Sequence, residues 1–305
     1  MVIINALHYS PMNSPEEPKI VTLALQGGGS HGAFTWGVLD RLLEDGRLEF
    51  EGISAASGGA MNAAVLAHGV MTGGREGARQ ALKDFWESVS TREPFNKISN
   101  GASSAITAGS NADPAYAVKA SLYLARFFSP YQLNPFNLNP LRDILQKQLD
   151  FERLRAECRT ELFIGATHLS TGTLRIFRNN ELTLDVLLAS ACIPTLHHII
   201  MIDGEAYWDG GLTANSPVFP LIYQCASRDV VMTILHPWRR ADTPTTSDDI
   251  WHRLTEIGFS SAFFMELHGL ALAKQEVERG RFSFGRMDRR VRSLNMHLID
   301  AQEPA

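Results

Sequence analysis

The chain has 305 residues, 45% hydrophobic and 20% charged, an ordinary globular composition with enough apolar material for a large core. A formal net charge of -5 argues against nucleic acid as a partner. Three widely spaced cysteines, Cys158, Cys192 and Cys225, make neither a disulfide framework nor a zinc pattern. No apolar run approaches the roughly 20 residues of a spanning helix.

Residues 1–18 read as a loose leader, with no basic flank and too short an apolar stretch for a signal peptide. With reduced cysteines, this points to a cytoplasmic protein whose contact with a membrane, if any, is peripheral. KIVTLAL (Lys19 to Leu25) is a β-branched strand. Behind a run of glycines, Phe34, Val38 and Leu42 recur every four residues, with Leu39 and Leu43 on the same face. A helix therefore runs to about Asp45 and stops at Gly46. FEGIS is a second short strand, SGGAMNAAVLAHG a helix of small residues, and GGREGARQALKDFWESVS an amphipathic helix. This strand–turn–helix rhythm argues for an α/β domain with a parallel sheet and helices packed over it.

The stretch 93–140 begins with Gly, Ser, Ala and Asn and ends in an aromatic run punctuated by Pro130, Pro135 and Pro140. It is either an irregular loop or an apolar lid over a site. ELFIGATHLSTGTLRIFRN gives two strands joined by a Thr-Gly turn, and LTLDVLLASACIP a helix ended at Pro194. HHIIMIDGEAYWDGG is a hairpin turning at Asp203-Gly204, and RDVVMTILHPW a buried strand. From Ser247 the pattern is helical, with a weak final strand at SLNMHLI. The late arginines of ERGRFSFGRMDRRVR make either a solvated helix face or a patch for an anionic surface.

Two motifs carry chemistry. Gly27, Gly29 and Gly32 satisfy G-x-G-x-x-G between a strand and a helix, where bare amides can bind the phosphates of a dinucleotide. A dinucleotide fold, however, needs an acidic residue at the end of its second strand, and here that strand ends in serine. In ISAASGGAMNA, Ser57 stands at a strand tip directly before a helix, flanked by small residues, as a nucleophile elbow requires. Ser54 is a second candidate, but Gly58 and Gly59 follow Ser57 where the helical pattern begins. A serine N-cap is the plain structural alternative. Serine needs a base. Asp209, in YWDGG, ends an apolar strand, with Gly210 and Gly211 letting the chain turn tightly behind it.

The segments GGGSHGAF, ISAASGGAMNA, LASACIP and YWDGGLTANSP, in this order and spacing, resemble the patatin-like phospholipases over roughly Lys19 to Trp238. The resemblance implies a three-layer α/β/α fold with a mainly parallel sheet. It implies a catalytic domain over 19–240 and a mainly helical extension over 241–305 packed on it. It further implies a serine acyl hydrolase acting on lipid esters. No metal-ligand cluster appears in the sequence, so the chemistry is expected to need no cofactor or metal. By position, Ser57 is the nucleophile, Asp209 its base, and the amides of Gly27, Gly28, Gly29 and Ser30 the oxyanion hole. Gly32, Ala55, Gly58, Gly59, Gly210 and Gly211 support the elbow and the loops. Two departures stand out. Ala55 replaces the first glycine of the elbow, a methyl that is either absorbed by a small shift or narrows the site. His31 stands where the family often has arginine or lysine. A Ser-His-Asp triad drawing on His168, His197, His198 or His236, and a binding module without turnover, are the rival readings.

Overall fold

The computed structural model describes residues 17–91, 127–235, 243–280 and 285–300. Residues 1–16 of the expected leader, 93–126 of the loop or lid, and His236 lie outside them. An eight-stranded sheet organises the chain. Its strands are β1 (Lys19–Leu25), β2 (Leu48–Ala55), β3 (Glu161–His168), β4 (Thr173–Phe177), β5 (Ile200–Ile202), β6 (Glu205–Asp209), β7 (Asp229–Ile234) and β8 (Asn295–Asp300). The order is β5-β6-β3-β2-β1-β7-β8, with β4 also on β3. The ladders β3–β2, β2–β1, β1–β7 and β7–β8 are parallel, and those involving β4, β5 and β6 are antiparallel.

The buried stretches of the central strands are mostly apolar because both faces are covered. Side chains alternate along a strand. Val21, Leu23 and Leu25 of β1 therefore enter one core with Ile53, Leu162 and Ile164. Ala24 of β1 joins Phe163, Val230, Met232 and Ile234 in a second core on the other face. Helices α1 (Gly32–Asp45), α2 (Gly58–Thr91), α4 (Pro140–Gln148), α5 (Phe151–Glu157) and α6 (Leu184–Ser190) supply the first core. Helices α7 (Phe219–Gln224) and α8 (Ser247–Arg279) supply the second. The result is the expected three-layer architecture.

Local rules account for most element ends. Gly46 closes α1 in the left-handed conformation, φ 74°, donating its amide to Leu42. Asp203 and Gly204 both adopt positive φ at the β5–β6 turn, as a two-residue hairpin demands. Three expectations are corrected. The buried face of α1 is Gly32, Thr35, Leu39 and Leu43, so Phe34 is exposed and Val38 and Leu42 flank the contact. The helix expected to reach Pro194 stops at Ser190, because the chain leaves helical geometry at Ala191 and the Cys192 carbonyl takes the Asp209 amide at 2.9 Å. Pro130 and Pro140 do not merely interrupt the chain, since each occupies the first turn of a short helix, α3 (Pro130–Leu133) and α4. A proline forces the residue before it into extended geometry, which is also what an N-cap needs, and Ser129 and Asn139 serve there.

The C-terminal residues join the same sheet. β8 adds an edge strand on β7, and α9 (Arg286–Ser293) leads into it. Within the arginine cluster, Arg290 is committed to backbone. Its guanidinium donates to the carbonyls of Leu221, Ile222, Cys225, Ala226 and Ser227 at 2.6–3.4 Å, satisfying the orphan acceptors at the end of α7. Glu266 of α8 does the reverse at the other end of α7, its carboxylate accepting from Val218 and Phe219 amides. Replacing Arg290 by Met keeps the aliphatic stem and removes these bonds. We expect a stability loss of about 1.5–3 kcal/mol, read from urea denaturation.

Candidate active site

Two strands stop facing each other beside β3. Ile164 pairs with Phe177 of β4 on one edge and with Ala55, the last residue of β2, on the other. Two residues on, Ala166 pairs with Arg175 of β4 and with Asp209, the last residue of β6. β2 and β6 therefore share the edge of β3 away from β4. They run in opposite directions, and their ends are separated only by the position of Gly165. Ser57 comes two residues after Ala55. The topology thus brings a serine from the first quarter of the chain to an aspartate 152 residues later (209 − 57).

Ser57 has φ 54°, a left-handed conformation that non-glycine residues seldom hold without support. The support is Ser190 at the end of α6. Its carbonyl and its hydroxyl both accept the Ser57 amide, at 3.1 and 3.0 Å, and its hydroxyl donates to Gly165 at 2.7 Å. The Ser57 carbonyl in turn receives the amides of Ala60 and Met61, so the elbow runs straight into α2. Ser54, the other candidate, is wholly buried, and its hydroxyl is committed to the Pro217 carbonyl. The Ala55 methyl lies in the first core and not in the crowded turn, which is how the sequence accommodates the missing glycine.

Asp209 is 0% exposed. Its Oδ1 accepts the Gly211 amide at 2.8 Å, while Oδ2 is buried without a hydrogen bond that satisfies it. Burial pushes the carboxyl up to about 7, and the Gly211 amide, together with a Ser57 hydroxyl that lies near the carboxylate without meeting hydrogen-bond geometry, opposes the rise only in part. The backbone around it is fixed. The Thr167 hydroxyl holds the Asp209 carbonyl at 2.7 Å, and Gly210 passes so close to β3 that a methyl there would lie 2.1 Å from the Gly165 carbonyl. The Phe259 ring of α8 packs on Gly211 and closes the dry side of the turn.

The glycine loop departs from expectation at one point. Gly27 does not present its amide, because the N–H is bound to Asn215 Oδ1 at 2.6 Å. Among the described residues, no acceptor takes the amides of Gly28, Gly29 or Ser30, nor that of Gly58, the residue after the serine. The Gly29 backbone runs against Gly58. Gly32 ends the loop and is held through its carbonyl by Asn62, whose Oδ1 takes the Trp86 indole N–H at 2.9 Å. Gly59 lies against the Leu25 carbonyl at the tip of β1. His31 is exposed, its Nδ1 3.1 Å from the Gly28 carbonyl.

None of the described histidines hydrogen-bonds Ser57 or Asp209. His168 pairs with Glu205 and Thr171 on the rim of the sheet, and His198 stacks on Tyr131 and meets the Pro130 carbonyl. Burial lowers His197, whose Nδ1 has no partner among the described residues. Ser190, Asn215 and Thr167 were given no role from sequence. Ser190 and Asn215 sit inside recognisable motifs, LASACIP and GLTANSP, but what each holds is a contact across the fold that no local pattern reports. No group of three or more metal-ligating side chains occurs among the described residues, and no described helix is long and apolar enough to cross a membrane.

The model of the patatin-like phospholipase family matches residues 23–222. No curated protein sequence matches the chain. Among solved structures, the chain is similar to VipD from Legionella pneumophila at 16% identity and a TM-score of 0.40, over 94% of this chain and 62% of that one. It is also similar to a chain of the heterodimeric ExoU–SpcU complex from the type III secretion system of Pseudomonas aeruginosa, at 19% identity and a TM-score of 0.37. That match covers 81% of this chain and 51% of the other. The chain therefore spans about three fifths of the first and half of the second.

The raised Asp209 sets a pH dependence. Its carboxyl ionises at ~4 in the unfolded chain but at about 7 in the folded one. Folding therefore takes up a proton between those values, and stability falls as pH rises through them. Asp209→Asn removes the buried charge. We expect a higher melting temperature than wild type at about pH 8, with the difference closing near pH 4.

Proposed function

Because the chain belongs to the patatin-like phospholipase family, matched over residues 23–222, we propose that it is a serine acyl hydrolase that cleaves carboxylic esters of lipids through Ser57 and Asp209. One observation carries the reading. A serine at a positive-φ strand tip stands beside a fully buried carboxylate that has an unsatisfied oxygen and a pKa pushed up to about 7. A carboxylate near pKa 4 is a feeble base toward an alcohol, whereas one near 7 is matched to neutral pH.

The ester enters with its carbonyl oxygen against the amides of Gly28, Gly29, Ser30 and Gly58. Asp209 takes the Ser57 proton as Oγ attacks the carbonyl carbon. Negative charge collects on the former carbonyl oxygen, where preorganised N–H groups and the N-terminus of α2 stabilise it. Collapse breaks the ester bond, and the departing alkoxide receives the proton from Asp209. Water then gives a proton to the same carboxylate as it attacks the acyl carbon, and collapse breaks the acyl–Oγ bond, with Asp209 returning that proton to Ser57 Oγ as the fatty acid leaves. A triad finds less support, since the described histidines are engaged elsewhere or lack any bond to the dyad. The phosphate-cradle reading also finds less support, since serine and not a carboxylate follows β2.

The test is hydrolysis of a chain-length series of acyl esters, together with labelling by a fluorophosphonate. Ser57→Ala and Asp209→Asn should each lower kcat by about 10³ or more, and labelling should vanish with Ser57→Ala. Replacing His168, His197 or His198 should leave turnover within about threefold of wild type. The activity of wild type should rise with pH through about 7 as the Asp209 carboxyl ionises. Turnover that survives loss of Asp209 but not of one histidine would replace the dyad by a triad.

A further inference from the structure

The geometry points to Asn215 as the positioning residue that sets the oxyanion hole, an inference that rests on the hydrolase reading above. Its carboxamide grips both polar atoms of one loop residue. Oδ1 accepts from Gly27 N at 2.6 Å, and Nδ2 donates to the Gly27 carbonyl at 2.9 Å. Only a primary amide carries an acceptor and a donor side by side on one rigid plane. Aspartate lacks the donor, and serine or threonine is too short to reach both atoms.

The clamp is itself anchored. Asn215 is wholly buried, its carbonyl accepts from Gln26 Nε2 at 3.5 Å, and Gln26 Oε1 accepts the Leu235 amide at 2.6 Å. Two buried carboxamides thus tie the tips of β1 and β7 to the chain that follows Asp209. Gly27 also touches the nucleophile's own backbone segment, since a methyl there would lie 2.5 Å from Ser57 Cβ and 2.6 Å from the Ala56 carbonyl. Holding Gly27 therefore fixes the distance between Ser57 and the unpartnered amides that begin one residue later.

Asp209 and Asn215 are joined by five residues that include a short 3-10 turn at Gly210–Leu212. One loop therefore carries the base at one end and the clamp at the other. A displacement of about 1 Å is enough to forfeit bonds aimed at a developing charge. Asn215 touches no reacting atom and acts through Gly27.

The experiment compares wild type, Asn215→Ala and Asn215→Asp on an ester and on its thionoester, in which sulfur, a weak acceptor, takes the oxyanion position. Folding of each variant is checked by its melting curve. We expect kcat on the ester to fall about 10²-fold in both variants, with KM within about threefold of wild type. The thionoester rate should change little, so that the preference for oxygen collapses. A displaced loop predicts this loss of preference, and a general weakening of the fold does not. In Asn215→Asp the carboxylate faces the Gly27 carbonyl, and protonation restores a donor. Its kcat relative to wild type should therefore rise as pH is lowered. Wild-type kcat and oxygen preference in either folded variant would overturn the inference. So would failure of both to fold, which would make Asn215 purely structural. A wild-type protein inert toward every ester would overturn the hydrolase reading instead, and this inference with it.

Discussion

The site depends on two strands ending against each other along one edge of β3. β2 runs toward the site and stops at Ala55, and β6 runs the opposite way and stops at Asp209. Backbone pairing to a common neighbour fixes both ends, so the serine and the aspartate meet without a helix or flexible loop to place them. A mainly parallel sheet with one antiparallel hairpin inserted makes this meeting possible. Parallel strands alone would all present the same ends to the same side.

The remaining features keep that meeting point dry and taut. Burial of Asp209 disfavours its charged form, and a carboxylate made more basic in this way is what the proposed reaction needs. Ser57 holds a left-handed conformation because Ser190 fixes its amide twice. The α8 helix lies well outside the four motifs, yet its Phe259 helps to wall off the Gly211 turn. The C-terminal segment is therefore part of the site's environment as well as of the sheet, to which it adds β8.

Much of this was legible along the chain. The strand and helix order followed from periodicity and from glycine and proline punctuation, and the Asp203-Gly204 turn from its dipeptide. Ser57, Asp209 and the glycine loop stand out as candidates because each sits at a strand end with small neighbours, a local requirement that leaves a local trace. Less legible were features set by what packs against what. The buried face of α1 was rotated from the expected one, and α6 ended four residues before its proline because Cys192 was needed as a partner for β6. The role of Gly27 was misread for the same reason. Its competitor for hydrogen bonding, Asn215, is 188 residues away.

The sequence by itself determined the alternation of elements, the two covered faces of the sheet, and which side chains were chemically equipped to act. Those depend on neighbours within a few positions, through backbone conformation and hydrophobic period. Only the tertiary structure decided that β2 and β6 share an edge, that the Asp209 carboxyl is desolvated, and which loop amides are left without an acceptor among the described residues. Each of these is set by groups that become neighbours only when the chain closes on itself, so no window of the sequence contains them.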